Sequence, residues 1–473
     1  MEEASAEGER DQECTDLDVV KIADSIKKRL PAASASGDEP CTIFRVPNVL
    51  RQVDENWYEP QVISIGPYHH GKERLKPREG QKLKHLQSIL GRNPSVRLED
   101  YVKKMKGSEE QARKCYSESI SMNRHEFVEM LLLDGCFLVE TFLQCGTSWR
   151  PAGCIPGLCR GSWFSYFMAY DMLLLENQLP FFILECIFGI VAEPSGDINS
   201  MAAIAINYLR RNKIIGFNAD ASRKNKYHHL LDLFHHHCLP IRKPPKMNGD
   251  GSSAGDCLLG LVGKLSCFSC VHPASNGLRE LQVPSTIPSA EELQAAGVKF
   301  KRQDDDQPPG CSITDIEFQK NTGVIKIPYV FFTEDVICAL KNLIALEQCS
   351  HPNDVTFFTA YAFFMDDIIN TPKDVQILRR SGILEHGWGS DEEFSLLFNK
   401  MDRGVMMDEG HLGHLYKDLN DYCGTKWHIW RANLLQNYFN TPWAVLSFAG
   451  AILLLLLTVL QTFFAAFPKY SVK

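Results

Sequence analysis

The chain has 473 residues, of which 44% are hydrophobic and 23% are charged, as in a globular protein and unlike a disordered or fibrous one. This length predicts one large body or two packed domains. The 50 Lys and Arg residues are outnumbered by 58 Asp and Glu residues, and the net charge of −8 argues against the broad positive field of a nucleic-acid-binding protein. We therefore expect no nucleic-acid partner.

Residues 1–41 predict an acidic and largely disordered leader. Their first ten residues are rich in Glu and lack the apolar core of a secretory signal. The 16 cysteines are scattered from Cys14 to Cys423 instead of being concentrated in a small disulfide-rich domain. The glycosylation-like triplet at Asn93 is disabled by Pro94. These features favour reduced thiols and a body in the cytosol.

A globular body is predicted for residues 42–431. Its basic segment, residues 70–114, is interpreted mainly as the solvated face of a helix. In this interpretation Leu83, Leu86 and Leu90 point inward at helical spacing. Contact of the basic segment with anionic lipid headgroups is the alternative.

Two long helices are predicted next, over residues 125–144 and 171–191. The second contains the polar residues 176–178 within an apolar run, so we expect a core helix whose polar side chains have buried partners, and not a membrane span. Pro180 lies inside the same run and predicts a kink or a break in the helix.

The C-terminal half of the body begins with a flexible insert at about residues 242–286, which is rich in Gly, Ser and Pro. We expect this insert either to carry a specificity surface or to be a passive linker. A short capped helix is predicted from Ile287, and helices resume at Asp335. Three short strands are predicted between these helices: residues 298–300, 312–318 and 323–330. The predicted fold class is mainly α with a small antiparallel β-sheet.

The C-terminal region predicts a single transmembrane helix over residues 443–467, with Trp443, Leu455 and Phe467 at its start, centre and end. The segment carries no charged side chain, and its length of roughly 37 Å is enough to cross a hydrocarbon core of about 30 Å. Membrane lipid is therefore an expected partner. Residues 468–473 form a short tail, so the chain has the form of a tail-anchored protein.

Three patterns resemble chemical sites but are better explained as structure. Residues 251–255 have the spacing of a nucleophile elbow but follow no predicted strand. Residues 267–272 supply two Cys and one His, with Cys257 nearby, but the sequence offers no second tight pair of zinc ligands. The spacing of His228, Asp232 and His236 fits one helical face, for which a solvated surface is the more common explanation than a metal site. We therefore predict no catalytic, cofactor-binding or metal-binding residue.

Several blocks, taken together, resemble one plant family, the domain-of-unknown-function 247 family. The similarity extends from Thr42 to the C-terminus. The blocks that carry it include Ile43-Phe44-Arg45-Val46-Pro47, Val62-Ile63-Ser64-Ile65-Gly66-Pro67-Tyr68-His69-His70-Gly71, Leu133-Asp134-Gly135-Cys136 and Leu175-Glu176-Asn177-Gln178-Leu179-Pro180. We interpret their most distinctive residues as a structural signature: Pro47, Gly66, Pro67, Tyr68, Asp134, Gly135, Glu176, Asn177, Gln178 and Pro180.

The resemblance implies a membrane-associated land-plant protein without established catalytic residues. Because some grass members of the family are linked to self-incompatibility, it also implies a role in recognition of a protein or peptide partner. We expect a single-pass protein of the plasma membrane with a cytosolic body and no enzymatic activity. The alternative is an enzyme of unknown reaction that uses polar residues near the signature blocks, namely Tyr68, His69, Glu140 and Glu176.

Overall fold

A computed structural model of the chain divides into two units, residues 1–41 and 42–473. The structure describes residues 21, 23–25, 41–146, 163–191, 200–212, 226–240, 286–303, 312–350, 356–406, 412–425, 430 and 442–466. Most of the predicted leader, the predicted insert up to residue 285 and the predicted tail lie outside these residues. In the first unit residues 21 and 23–25 are helical, and Cys41 is not.

Helices dominate the first half of the second unit. The longest of them, α4, is mostly buried after its exposed first turn and packs against four neighbours, α2, α3, α6 and α7. The helices of this half are α1 (Asn48–Arg51), α2 (Glu79–Arg92), α3 (Leu98–Lys114), α4 (Arg124–Gly146), α5 (Trp163–Asp171), α6 (Phe181–Val191), α7 (Met201–Arg211) and α8 (Leu230–Cys238), with 3₁₀ turns at Glu55–Tyr58 and Lys76–Arg78.

The inward face of α2 differs from the sequence prediction. Lys82 and His85 are buried, whereas Leu83 is 57% exposed. The prediction that Leu83 points inward was wrong because Lys82 occupies that face, where its Nζ lies 2.5 Å from the buried Asp134 carboxylate of α4. This face of α2 therefore contacts α4 through a buried ion pair, where an apolar contact was predicted.

The predicted helix over residues 171–191 was also wrong in its first half. Helix α5 ends at Asp171, α6 begins at Phe181, and residues 172–180 form buried turns between them. Side-chain amides in these turns hydrogen-bond to nearby backbone groups and so compete with helix formation. The break predicted at Pro180 is confirmed, because the new helix starts directly after it.

The C-terminal half opens with the short helix α9 (Ala290–Ala296), and its predicted cap is confirmed. The Ser289 side chain accepts from the Glu292 backbone while the Glu292 carboxylate accepts from the Ser289 backbone, which forms a capping box. The helix ends at Gly297, whose φ of 109° lies in the left-handed region that favours glycine.

Two small sheets follow, and only part of their pairing is antiparallel. They are built from β1 (Lys299–Arg302), β2 (Glu317–Gln319), β3 (Val324–Ile327), β4 (Val330–Phe332) and β5 (Leu384–His386). A tight turn joins β2 to β3 as an antiparallel hairpin, but β1 lies parallel to β3, and β4 parallel to β5. The prediction of an antiparallel sheet is therefore corrected to a mixed one, because the long connections that follow β1 and β4 allow parallel pairing.

The remaining helices complete a mostly helical body. Buried Phe, Tyr and Leu side chains from these helices form one continuous core with those of the N-terminal half. The helices are α10 (Glu334–Cys349), α11 (Phe357–Ile368), α12 (Pro372–Arg380), α13 (Asp391–Phe398) and α14 (Gly413–Cys423).

The last helix, α15 (Pro442–Ala466), has 25 residues and coincides with the predicted span, except that Phe467 lies outside the described residues. Within the described part of the chain, it is the one helix long and apolar enough to cross a membrane, and its most apolar window, Leu446–Phe463, is exposed. Leu455 at its centre is 65% exposed. The hydroxyls of Thr458 and Thr462 donate to carbonyls one turn earlier, so neither needs an external acceptor.

Candidate functional site

The signature segment 61–66 belongs to no helix or sheet, so its backbone amides need other acceptors. The carboxylate of Asp171 accepts from the amides of Gln61, Val62 and Ile63 at 2.7, 2.7 and 2.8 Å. Burial raises the pKa of Asp171 to about 7, although these three donors favour the ionised form. A side chain at the end of α5 therefore substitutes for a neighbouring strand.

The next two amides of the segment are held in the same way. Asn177 accepts from the amide of Ile65 at 2.7 Å, and its own NH₂ group donates to the carbonyls of Ile63 and Asp171. Asp134 accepts from the amide of Gly66 at 2.9 Å through its Oδ2 atom, while its Oδ1 atom pairs with Lys82. The turn after α5 and helix α4 thus both form hydrogen bonds with the same segment.

Gly66 lies where the signature segment comes very close to the turn after α5. Its φ is 74°, and a Cβ atom there would lie 2.3 Å from the backbone oxygen of Gln178. The hydroxyl of Tyr116 donates to the same oxygen at 3.1 Å. The position therefore requires glycine both for its left-handed backbone and for the close approach of two chains.

Gln178 and Gly135 connect the turn to the helices around it. The NH₂ group of Gln178 donates to the carbonyls of Met172 and Leu174, and its oxygen accepts from the amide of Leu231 in α8. At Gly135 in α4, a Cβ atom would lie 2.4 Å from the Ile187 side chain of α6. These two residues therefore fix the packing of three helices around the turn.

Glu176 binds the N-terminal signature block to the turn. Its carboxylate is fully buried and accepts from the amide of Val46 at 2.8 Å, next to Pro47 at the start of α1. It also pairs with Arg45 at 3.1 Å and Arg51 at 2.6 Å. The Arg45 guanidinium lies 4.2 Å from the Tyr68 ring centroid, so Tyr68, which follows Pro67, joins the same cluster.

A second carboxylate, that of Glu59, forms ion pairs with basic residues on the other side of this cluster. It pairs with Lys72 at 2.6 Å, Arg74 at 2.7 Å and Arg51 at 3.3 Å. Burial opposes ionisation of Glu59, but the hydrogen bond from Lys72 and the nearby cations outweigh it and lower the pKa. Arg51 bridges the two carboxylates.

His69 is fully buried between the two carboxylates. Its Nε2 lies 3.5 Å from Glu176 and its Nδ1 lies 3.8 Å from Glu59, both too far for a good hydrogen bond. Burial lowers the pKa of His69 to about 3, the cations Lys72, Arg45 and Arg51 act in the same direction, and Glu59 opposes them. The imidazole is therefore neutral at physiological pH.

The four residues of the enzyme alternative do not form one site. His69, Glu176 and Tyr68 lie in the cluster just described, but Glu140 lies on α4, where it binds Arg92, Ser88 and Gln144. Burial opposes ionisation of Glu140, but hydrogen bonds from these three residues outweigh it and lower the pKa. Glu140 and Glu176 both have their acceptor positions occupied by fixed donors, so each is suited to joining elements of the fold to one another.

The candidate metal patterns are not assembled in the described part of the chain. No group of three or more His, Cys, Asp or Glu side chains there could hold a metal ion. His228 precedes α8, and its backbone amide donates to Asp232, so the predicted helical face of His228, Asp232 and His236 does not form. Residues 251–255 and 267–272 lie outside the described residues.

Arg51, Lys82 and Asp171 were missed as partners of the signature residues by the sequence analysis. Lys82 was interpreted as part of a solvated basic face, and Asp171 as the start of a helix. The available signal was a charged residue beside an apolar block, which indicates that a buried partner is needed but not which one.

Comparison with known proteins gives a consistent result. The profile of a plant family described as "Plant protein of unknown function", DUF247, matches residues 43–457. UPF0481 protein At3g47200 of Arabidopsis thaliana is 30% identical over 463 residues, which cover 93% of this chain and 89% of that protein. Putative UPF0481 protein At3g02645 of the same plant is 24% identical, with 91% of each chain covered. No solved structure matches the chain.

Proposed function

Since the chain belongs to the DUF247 family of plant proteins of unknown function, we propose that it is a membrane-tethered recognition protein that binds a protein or peptide partner. The tether is helix α15, which is long and apolar enough to span a bilayer. In this proposal the body faces the cytosol and the membrane is the plasma membrane. Recognition of the self-incompatibility type is one form that the function would take.

The observation that carries the proposal is the internal use of the signature side chains. Asp134, Asp171, Glu176, Asn177 and Gln178 are all buried and bind backbone or side-chain groups of the same body. Catalytic groups must instead reach a substrate from the wall of a pocket. The signature therefore supports a rigid scaffold that presents a binding surface, and we propose a binding protein rather than an enzyme.

The test is affinity purification of the tagged full-length protein from native plant membranes. We expect the same partner to be recovered in repeated purifications, and to be lost when the body is unfolded by a core substitution such as Phe137→Asp. Failure to recover any partner, together with turnover of a small molecule by the purified protein, would favour the enzyme alternative.

A loop exchange tests the insert at residues 242–286, most of which lies outside the described residues. Replacing it with a short Gly/Ser loop should leave folding and membrane insertion intact, since such loops tolerate change. If the insert carries the specificity surface, the partner is lost on exchange. Equal recovery of the partner would show that the insert is a linker and that the binding surface lies on the helical body.

A further inference from the structure

A small cleft lies between helix α10, the 3₁₀ turn at Glu55–Tyr58 and the turn at residues 401–405. Lys341, Tyr58 and Arg403 line it together with apolar side chains that include Ile344 and Val405. We call it the Lys341 cleft. It encloses a cavity of about 10 Å³, which is room for one water-sized group. Arg403 is exposed, so the cleft is open to solvent on that side.

Two polar side chains reach this cleft without being used by the fold. Lys341 is 6% exposed and Tyr58 is 3% exposed. Among the residues that the structure describes, neither the Lys341 amine nor the Tyr58 hydroxyl has a hydrogen-bond or ion-pair partner. Neither atom is among the fully enclosed polar atoms that lack a partner, so each faces the cleft, where a small ligand can reach it.

Burial lowers the pKa of Lys341 to about 8, even though the nearby carboxylates of Asp54 and Asp402 act in the opposite direction. An exposed lysine, with a pKa near 10.4, is uncharged in fewer than about one molecule in a thousand at pH 7, whereas a lysine with this pKa is uncharged in about one in ten. Only the uncharged amine is a nucleophile, and lysines desolvated in this way are the ones that form Schiff bases.

The charges around the cleft are mixed, so the reactive amine and the size of the cleft, and not its charge, indicate the ligand. The carboxylates of Asp54 and Asp402 act on Lys341, while the cation Arg403 lines the cleft. The polar groups lining the cleft are donors, which suit the oxygen of a neutral carbonyl compound. The small cavity restricts that compound to one whose carbonyl group is little larger than a water molecule.

We propose that the Lys341 cleft is a covalent binding site in which the Lys341 amine condenses reversibly with a small aldehyde. The nitrogen lone pair attacks the carbonyl carbon, the carbonyl oxygen takes up a proton, and the nitrogen loses one, which gives a carbinolamine. Loss of one water molecule then leaves an imine, so the step consumes no oxidant or reductant. Tyr58, on the wall of the same cleft, donates to the carbonyl oxygen during the attack.

The test uses full-length protein in detergent micelles, acetaldehyde as the probe and cyanoborohydride to trap the imine, followed by peptide mapping. We expect Lys341 to be alkylated at least tenfold faster than the exposed Lys84, although Lys341 is far less accessible. A bulky aromatic aldehyde should lose this preference, because it does not fit the cleft. Alkylation of Lys341 no faster than that of Lys84 would overturn the proposal.

Three variants show whether the cleft itself is responsible. Val405→Trp fills the cleft and should slow alkylation of Lys341 at least tenfold, whereas Tyr58→Phe keeps the ring, removes the donor and should slow it several-fold. Leu396→Trp, at a 53% exposed position away from the cleft, is the matched control and should change nothing. Melting curves confirm that each variant is folded, since unfolding would equalise the rates of Lys341 and Lys84. An unchanged Lys341 rate in folded Val405→Trp would refute the site.

Discussion

Glu176 brings together two parts of the chain that are far apart in sequence. Its carboxylate is completely buried, and it accepts from the amide of Val46 while pairing with Arg45 and Arg51. A carboxylate loses several kcal/mol of hydration when it is buried, and this loss is offset only if its donors are complete. The residue therefore stabilises the fold only together with its partners. When any one partner is removed, the lost hydration of the carboxylate is no longer fully offset.

Replacement of Glu176 by Ala should be strongly destabilising. It leaves the Val46 amide without its acceptor and removes one of the two carboxylates that Arg51 bridges, and we expect a loss of about 3 kcal/mol in the free energy of unfolding. Glu118→Ala is the matched control, because Glu118 pairs with the same Arg45 but is 59% exposed, and it should cost less than about 1 kcal/mol. Chemical denaturation measures both, and equal losses would contradict the role of burial.

Glycine is needed at Gly71 for its backbone conformation alone, but at Gly66 for both its backbone conformation and the lack of space for a side chain. Both have a positive φ, 74° and 78°, but only at Gly66 would a Cβ atom collide with backbone. Gly71→Ala should cost about 1–2 kcal/mol for the left-handed conformation alone. Gly66→Ala should cost at least about 3 kcal/mol, since the chain must also move away from Gln178. Similar melting temperatures for the two variants would show that residues 61–66 adapt without resistance.

His69 should make the protein less stable in acid. Its pKa falls from 6.5 to about 3 on folding, so between these values the unfolded state binds more protons. The free energy of unfolding therefore decreases as the pH drops below about 6.5, by up to about 1.4 kcal/mol per pH unit. Asp171, whose pKa rises on folding to about 7, acts in the opposite direction, so the contribution of His69 is read from the difference from His69→Gln. Parallel pH profiles of the two proteins would refute it.

At the scale of elements, α2 is held to α4 by a charged contact that crosses the core. Lys82 lies 2.5 Å from Asp134 and 2.9 Å from Glu79, and both Lys82 and Asp134 are buried. Asp134 in turn accepts from the amide of Gly66, so α2, α4 and the signature segment meet at one carboxylate. The position of the signature segment therefore depends on the packing of these two helices.

A double-mutant cycle should show this coupling. Lys82→Met leaves Asp134 charged and buried without its cation, and we expect a loss of about 3–5 kcal/mol. Adding Asp134→Leu removes the stranded charge and should restore part of that loss. Lys84→Met, at an exposed position on the same helix, should stay within about 0.5 kcal/mol of the wild type. If the two single losses simply add, the residues are not coupled.

The elements that could be predicted from sequence are those with a local signal. The capping box at Ser289, the break at Pro180 and the apolar helix α15 each follow from a few neighbouring residues. The turn after Asp171 could not be predicted, because two of its polar residues bind segments more than 100 residues away, as Glu176 does with Val46 and Asn177 does with Ile65. The buried position of Lys82 was missed for the same reason, since its partner Asp134 lies on another helix.

At the scale of the whole molecule, the body and the last helix differ in where their apolar surface lies. Within the described residues of the body, large apolar side chains are mostly buried in one continuous core. In α15 the apolar residues from Leu446 to Phe463 are exposed instead. Exposed apolar surface of this extent is unfavourable in water and marks a site that another apolar phase must cover. A bilayer provides that phase, and this is the basis of the proposed tether.

Truncation of the chain at Tyr438 should therefore release the body from membranes. We expect the truncated protein in the soluble fraction, while the full-length protein resists alkaline extraction, because only the latter retains the apolar helix. A chain in which residues 443–467 are replaced by an unrelated apolar helix of the same length is the matched control, and it should remain in the membrane whatever its sequence. In sealed microsomes with the cytosolic face outward, added protease should digest the body of the full-length protein. Membrane retention of the truncated chain would contradict a sole anchor, and protection of the body from protease would reverse the proposed topology.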